Sequence, residues 1–302
     1  MKLPFNLFST PRPVSNKKYA EVFALLQSHE PVTMGILNCT PNSFSDGGKF
    51  LTRTAALAHA HKMVNSGADI IDIGGESSRA GAEAISAEEE CERIIPLIEI
   101  LKAELDAPIS VDTRKMLVMQ EAIKAGASMI NDIHALQEDG ALELAAKTGI
   151  PICLMHAKDT FQNRQVHPFY EDVLQEVFDF LKARIDACIK AGLFLGQIVI
   201  DPGFGFGKNL DHNLILLKNL AEFKKLNFPI LVGLSRKHMI GVMLNAEVEN
   251  RLYGSLAAAV VAFLSGATII RTHDVAATKE ALVIAKAVAA TSYRTVQEET
   301  YV

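Results

Sequence analysis

The chain has 302 residues, 49% apolar and 22% charged, enough for a large core and too apolar for a disordered or collagen-like polymer. Thirty basic against 35 acidic residues leave a formal charge of −5 with no long run of either sign, which argues against broad binding to nucleic acid or an anionic membrane. The four cysteines, Cys39, Cys91, Cys153 and Cys188, stand far apart without a CxxC pair, which excludes a zinc knuckle and a disulfide framework and predicts a reduced, cytoplasmic protein.

Residues 1–31 are punctuated by proline and contain no apolar stretch of signal-peptide length; they read as an arm or barrel-bottom cap, with a short helix near 19–27. From residue 32 a pattern recurs: an apolar run, a polar or glycine-rich break, a helical stretch. The runs fall at 32–37, 70–73, 109–111, 129–130, 152–155, 198–200, 230–232 and 268–270. Their Ile and Val content without alternation predicts eight parallel strands covered on both faces. Gly67, Gly126, Gly149, Gly192 and Gly266 stand where a helix would end before the next run. Between 170 and 191, Val173, Val177, Leu181, Ile185 and Cys188 follow helical spacing, as a face packed on a sheet does. The longest uncharged apolar run, 256–264, is too short to span a bilayer, and residues 296–302 read as a tail.

Alternating strands and helices fit either a doubly wound open sheet or a closed (β/α)8 barrel, and the polar residues choose. Polar clusters follow nearly every strand: Asn38, Glu76, Asp112, Asn131-Asp132, His156, Asp201, Ser235-Arg236-Lys237 and Arg271 to Asp274. An open sheet gathers function at one switch point, whereas a barrel draws it from many strand ends around a ring. The expectation is a single (β/α)8 TIM barrel over 32–295 with a short N-terminal arm.

Asp112, Asn131 and Asp201 at three strand ends combine carboxylate acceptors with an amide that donates and accepts, which suits a flat heterocycle such as a pterin or guanine. Helix capping or pairing with a nearby arginine is the alternative for any one of them. Lys237 has the reach to donate to a ring carbonyl or to balance the aspartates. Arg271 and His273, two apart on the last strand, share a face if that strand extends so far, and with Asn38 on the neighbouring first strand they make an anion site for a diphosphate. The 201–208 segment, DPGFGFGK, is not a P-loop, because Pro202 stands at the required first glycine and Asn209 follows Lys208. Its glycines instead allow a sharp turn beneath a ligand. Two glycine-rich segments, TPNSFSDGG at 40–48 and GGESSRAG at 74–81, read as loops over the mouth. His59 and His61 do not share a helix face and no metal-binding pattern occurs, so an ion would arrive with substrate phosphates, as magnesium does.

In order along about residues 32–290, MGILNCTPNSFSDGG, DIIDIGGESSRAG, ISVDTRK, INDI, LMH, DPGFGFGKN, LVGLSRKHMIG and IIRTHDV resemble the successive motifs of bacterial dihydropteroate synthases. The resemblance implies a (β/α)8 fold, a homodimer, and condensation of 6-hydroxymethyl-7,8-dihydropterin diphosphate with p-aminobenzoate by SN1-like loss of diphosphate. By motif position it assigns Asp112, Asn131, Asp201 and Lys237 to the pterin, and Asn38, Arg271 and His273 to diphosphate, with Mg2+ shared between Asn38 and the diphosphate. Phe44, Ser78, Arg79, Phe206 and Ser235 fall to p-aminobenzoate, the substrate that sulfonamides mimic. The chain departs from the family pattern at Asn42, Ser78, Ala80 and Ala157; loss of a proline at Ala80 loosens that loop and predicts an altered sulfonamide response. Barrels that present methyltetrahydrofolate to a corrinoid protein, and barrels that bind pterin without turnover, share the acid and amide residues. The two loops and the SRK and RTHD segments favour the synthase.

Overall fold

The computed structural model describes residues 19–28, 30–40, 48–77, 83–158 and 168–291. A first helix, α1 (Ala20–Gln27), precedes β1 (Val32–Asn38), after which strands and helices alternate as α2 (Gly48–Asn65), β2 (Ile70–Gly74), α3 (Ala87–Glu104), β3 (Ile109–Asp112), α4 (Met116–Ala125) and β4 (Met129–Asp132). The second half continues with α5 (Ala141–Thr148), β5 (Ile152–Met155), α6 (Val173–Lys190), β6 (Ile198–Asp201), α7 (Leu210–Lys218) and β7 (Leu231–Gly233). Two helices, α8 (His238–Leu244) and α9 (Leu252–Leu264), lead to β8 (Ile269–Thr272) and α10 (Val275–Ala290). The eight strands pair in parallel in the order β6-β5-β4-β3-β2-β1-β8-β7, and a bridge between Ile200 and Ile230 joins the two ends into a barrel.

Strand alternation divides the core into two shells. Leu37, Ile71, Ile73, Val111, Ile130, Leu154, Ile200, Val232 and Ile270 face outward and pack with the helices, including Ile94, Leu97, Ile98 and Leu101 of α3. The α6 stripe of Val173, Val177, Leu181, Ile185 and Cys188 is wholly buried in this outer shell. The opposite parity points into the barrel, where Val32, Met34, Ile70, Met129, Cys153, Val199, Leu231 and Ile269 form a separate cluster that also takes Val22 from α1. Each such side chain contributes about 1.5–3 kcal/mol on burial. Local signals set the helix limits. Ser86 accepts from the Glu89 amide at 3.1 Å before α3, and Asp172 accepts from the Leu174 and Gln175 amides at 3.0 Å before α6. The α4 helix ends at Gly126, whose φ of 115° favours a residue without Cβ.

Most strands run further than their apolar runs suggest. Asn38, Asp112, Asn131 and Asp201 lie in the strand ends and Arg271 on the last strand, where the sequence reading set them, and Gly74 and Asp132, read as following their strands, are strand residues as well. A barrel interior admits polar side chains near its open end, so strand geometry persists after hydrophobicity stops.

Candidate active site

Because Asn38, Gly74, Asp112 and Asn131 stand side by side in the strand register, their side positions form one ring at the carboxyl-terminal end of the barrel. Asp201 lies opposite Met155 further round. Arg271 reaches across the ring from β8. Its Nε donates to Asp72 Oδ2 at 2.6 Å and its Nη2 to Asp112 Oδ2 at 2.8 Å. Burial opposes the guanidinium charge, but Asp72 and Asp112 outweigh it and raise the Arg271 pKa further. Burial pushes the Asp112 carboxyl up to about 7, against the pull of Arg271.

Asp72 is a site residue that the sequence reading missed. The same Oδ2 that takes Arg271 also accepts from Asn131 Nδ2 at 3.2 Å, while Asp72 Oδ1 and Asn131 Oδ1 are buried and have no hydrogen-bond partner among the described residues. The available signal was an acid inside the isoleucine run of β2, in a strand otherwise buried on both faces. An unpartnered buried acceptor is costly unless a ligand satisfies it.

Asp201 is buried and accepts from the Gly203 amide at 2.7 Å. Burial raises its pKa, and Lys237, Gly203, Lys208 and Arg271 pull it back. Lys237, just before α8, donates to the Phe204 carbonyl and lies 4.5 Å above the Phe206 ring. Burial lowers the Lys237 pKa to about 8, with Asp201 opposing. Ser235 and His273 meet: the His273 amide donates to Ser235 Oγ at 3.1 Å, and His273 Nδ1 lies 3.0 Å from the same oxygen. His273 follows the last residue of β8, so it does not continue that strand beside Arg271. Arg236 instead holds the frame, pairing with both oxygens of Asp274 at 2.9 and 2.8 Å. Asp132 is likewise structural, its two oxygens each accepting at 2.7 Å from the His134 and Leu136 amides.

Asn38 stands beside Gly74. Its Oδ1 and Asp112 Oδ2 each lie 3.9 Å from the point where a Gly74 Cβ would begin. Phe44, Ser78 and Arg79, like Asn42 and Ala80, lie outside the described residues. A second cluster unanticipated from sequence flanks the ring: Lys115 Nζ donates to Glu76 at 3.0 Å and Glu90 at 2.7 Å, and Glu76 also accepts from the Ile85 amide at 3.0 Å.

A model of the family described as pterin binding enzyme matches residues 34–273. The dihydropteroate synthase of Escherichia coli K12 is 51% identical over 271 residues, covering 90% of this chain and 96% of that one. The Xanthomonas albilineans dihydropteroate synthase solved with 4-aminobenzoic acid superposes with a TM-score of 0.83 at 47% identity, covering 87% of this chain and 95% of the other. A second structure of that enzyme, in complex with 7,8-dihydropteroate, gives a TM-score of 0.80 at 45% identity with the same coverage. The Yersinia pestis enzyme in a sulfonamide drug complex gives 0.83 at 48% identity, also covering 87% and 95%. With the barrel, the ring of polar strand ends and relatives matched over nearly their whole length, the chain belongs to the dihydropteroate synthase family of pterin-binding transferases.

Proposed function

We propose that the chain condenses 6-hydroxymethyl-7,8-dihydropterin diphosphate with p-aminobenzoate to give 7,8-dihydropteroate and diphosphate. The observation that carries the reading is the convergence of Asp72, Asp112, Asn131, Asp201, Lys237 and Arg271 on one barrel mouth, with buried acceptors on Asp72 and Asn131 that no described residue satisfies. The relatives solved with 4-aminobenzoic acid and with 7,8-dihydropteroate support it.

Asn131 and Asp201 offer acceptors to the ring N–H and amino groups, and Lys237 donates to the ring carbonyl. The C–O bond to diphosphate breaks first, and its electron pair leaves with the diphosphate oxygen. The electron-rich dihydropterin holds the resulting methylene cation, stabilised by the buried carboxylates of Asp112 and Asp201. The arylamine nitrogen then supplies the new C–N bond and releases its proton to solvent. Negative charge grows on the leaving group in the transition state, so Arg271 and His273 bind it more tightly there than in the ground state. Arg271 is held in place by Asp72 and Asp112 through Nε and Nη2, leaving the Nη1 edge for the anion.

Magnesium fits this mouth through Asn38, whose amide oxygen is the hard ligand such an ion takes; with the substrate's oxygens completing the set, it would neutralise the leaving diphosphate. Among the described residues no group of three or more His, Cys, Asp or Glu side chains forms a metal site, so the substrate would bring most of the ligands.

Phe44, Ser78, Arg79, Phe206 and Ser235 form the p-aminobenzoate side in this reading. Sulfonamides would occupy the same side, with an altered response from Ser78 and Ala80; the Yersinia pestis relative is solved in a sulfonamide drug complex. The free thiols of Cys39, Cys91, Cys153 and Cys188 suit the reducing cytoplasm. The exposed apolar residues Tyr253, Val261 and Leu264 on α9 and Val283, Ile284 and Val288 on α10 supply a face for the homodimer. No helix among the described residues is long and apolar enough to cross a membrane.

The test mixes protein, magnesium, the dihydropterin diphosphate and p-aminobenzoate and follows both products. Diphosphate and dihydropteroate rising together, dependent on the arylamine, are expected. Pterin binding without product would overturn the reading in favour of methyl transfer or an inert binder.

A further inference from the structure

Lys208, the lysine of the failed P-loop pattern, is spent on the turns after β5 and β6. It is 8% exposed, and its Nζ is surrounded by four acceptors: His156 Nδ1 at 2.8 Å, Gly203 O at 2.9 Å, Phe206 O at 3.1 Å and His156 O at 3.3 Å. Three of these are carbonyl oxygens, so Nζ is the donor at each of them. These bonds join the turn after β5 to the turn after β6. The two turns approach closely enough that a Cβ on Gly203, whose φ is +72°, would stand 1.8 Å from the His156 carbonyl oxygen. Asn213 completes the frame, accepting from the Gly205 amide at 2.7 Å and donating to the Lys208 carbonyl at 3.2 Å.

The framed segment carries the aromatic wall of the mouth. Phe206, whose carbonyl Lys208 holds, lies beneath the Lys237 ammonium, and Phe204 gives Lys237 its carbonyl. His156 is wedged from the other side by Phe180, edge-on at 4.9 Å between ring centroids, and by Tyr170 at 6.2 Å. We infer that Lys208 and His156 form a positioning clamp that sets the Phe206 wall, and through it the affinity for p-aminobenzoate, without touching either substrate. The inference rests on the assignment of Phe206 to the p-aminobenzoate side.

Charge and burial agree with that geometry. Burial, Lys208 and Lys158 together hold the His156 imidazole down to about 3, so the ring is neutral and its Nδ1 is left to accept. Burial likewise lowers the Lys208 pKa, with Asp201 opposing and Lys237 and Lys158 adding to the fall.

The test compares His156→Leu, His156→Asn and Lys208→Met with the wild type. Asparagine places an oxygen near the position of Nδ1 and keeps an acceptor for Lys208; leucine does not. The leucine and methionine variants are expected to raise KM for p-aminobenzoate by about tenfold, with kcat and the affinity for dihydropterin diphosphate within about twofold, and His156→Asn to restore the wild-type KM. An unchanged KM in folded His156→Leu, or an equal loss of pterin affinity, would overturn the clamp. If the variants fail to fold, nitrogen NMR of His156 in the wild type decides. A neutral ring without a proton on Nδ1 at pH 5–8 is expected, and a ring titrating near 6.5 or carrying that proton overturns it. Absence of wild-type turnover would fault the proposed reaction instead, and would leave the tautomer measurement standing.

Discussion

The lower and upper halves of the barrel interior use the same strands and the same two-residue period for different ends. Below, Val32, Met34, Ile70, Met129, Cys153, Val199, Leu231 and Ile269 close on one another and on Val22 of α1. Above, the next inward positions are Asp72, Asp112, Asn131, Asp201 and Arg271; hydrogen bonds join Arg271 to Asp72 and Asp112 and Asn131 to Asp72, and acceptors on Asp72 and Asn131 have no partner among the described residues. Alternation decides only whether a residue points inward. Depth along the strand decides whether that residue contributes stability or chemistry, and the upper half carries a desolvation penalty that the lower half offsets.

Breaking the comparison from above should have the largest effect. Arg271→Ala leaves Asp72 and Asp112 buried and unpaired, so denaturant unfolding should show a loss of about 3–5 kcal/mol. Turnover should fall at least about a hundredfold, while a pterin lacking diphosphate keeps much of its affinity. Equal losses in both would mean that Arg271 does not serve the leaving group. From below, Ile269→Ala should cost about 2–5 kcal/mol with kcat almost unchanged; a parallel fall in kcat would erase the division between the halves.

The third contrast is gated by pH. The folded protein holds Lys237 down to about 8, against a usual lysine value of about 10.4. Its neutral form is therefore favoured by folding, and the contribution is complete above the unfolded pKa and lost as pH falls through 8. Relative to Lys237→Met, wild-type stability should rise between pH 8 and 10, and a flat difference would show that Lys237 keeps its ordinary pKa. Smallest is Asp172→Ala, which removes the α6 cap and should cost about 1 kcal/mol without changing turnover.

The barrel was legible because eight runs of Ile and Val are separated by helical stretches, and the α6 stripe was legible because its period matches a helix. Exact strand limits were less legible, since Gly74 and Asp132 extend their strands past the apolar runs. Asp72 escaped because its inward parity depends on register with β1 and β3, which no local pattern contains. The Ser235 and His273 contact spans 38 positions, and the Lys208 partners come from two separate turns. Asp112, Asn131, Asp201, Lys237 and Arg271 were nevertheless picked out from their places near strand ends, and the structure brings them to one mouth. The sequence reading placed Arg271 against an anion and kept an arginine partner as the alternative for Asp112; the structure shows that pairing and adds Asp72, which became visible only in three dimensions.

Barrel closure between β6 and β7 rests on the bridge of Ile200 and Ile230, with the Ile200 amide donating to the Pro229 carbonyl at 3.0 Å. Elsewhere neighbouring strands share longer ladders, so among the strand pairs this seam should open most cheaply and exchange its amides fastest. Asp201 ends the strand on one side of the seam, and Lys237 follows the strand on the other. On the proposed assignment, a pterin ring held by both residues would be a rivet across the thinnest joint of the hoop, and exchange at Ile200 and Leu231, on the backbone of the seam itself, should slow furthest when pterin is added.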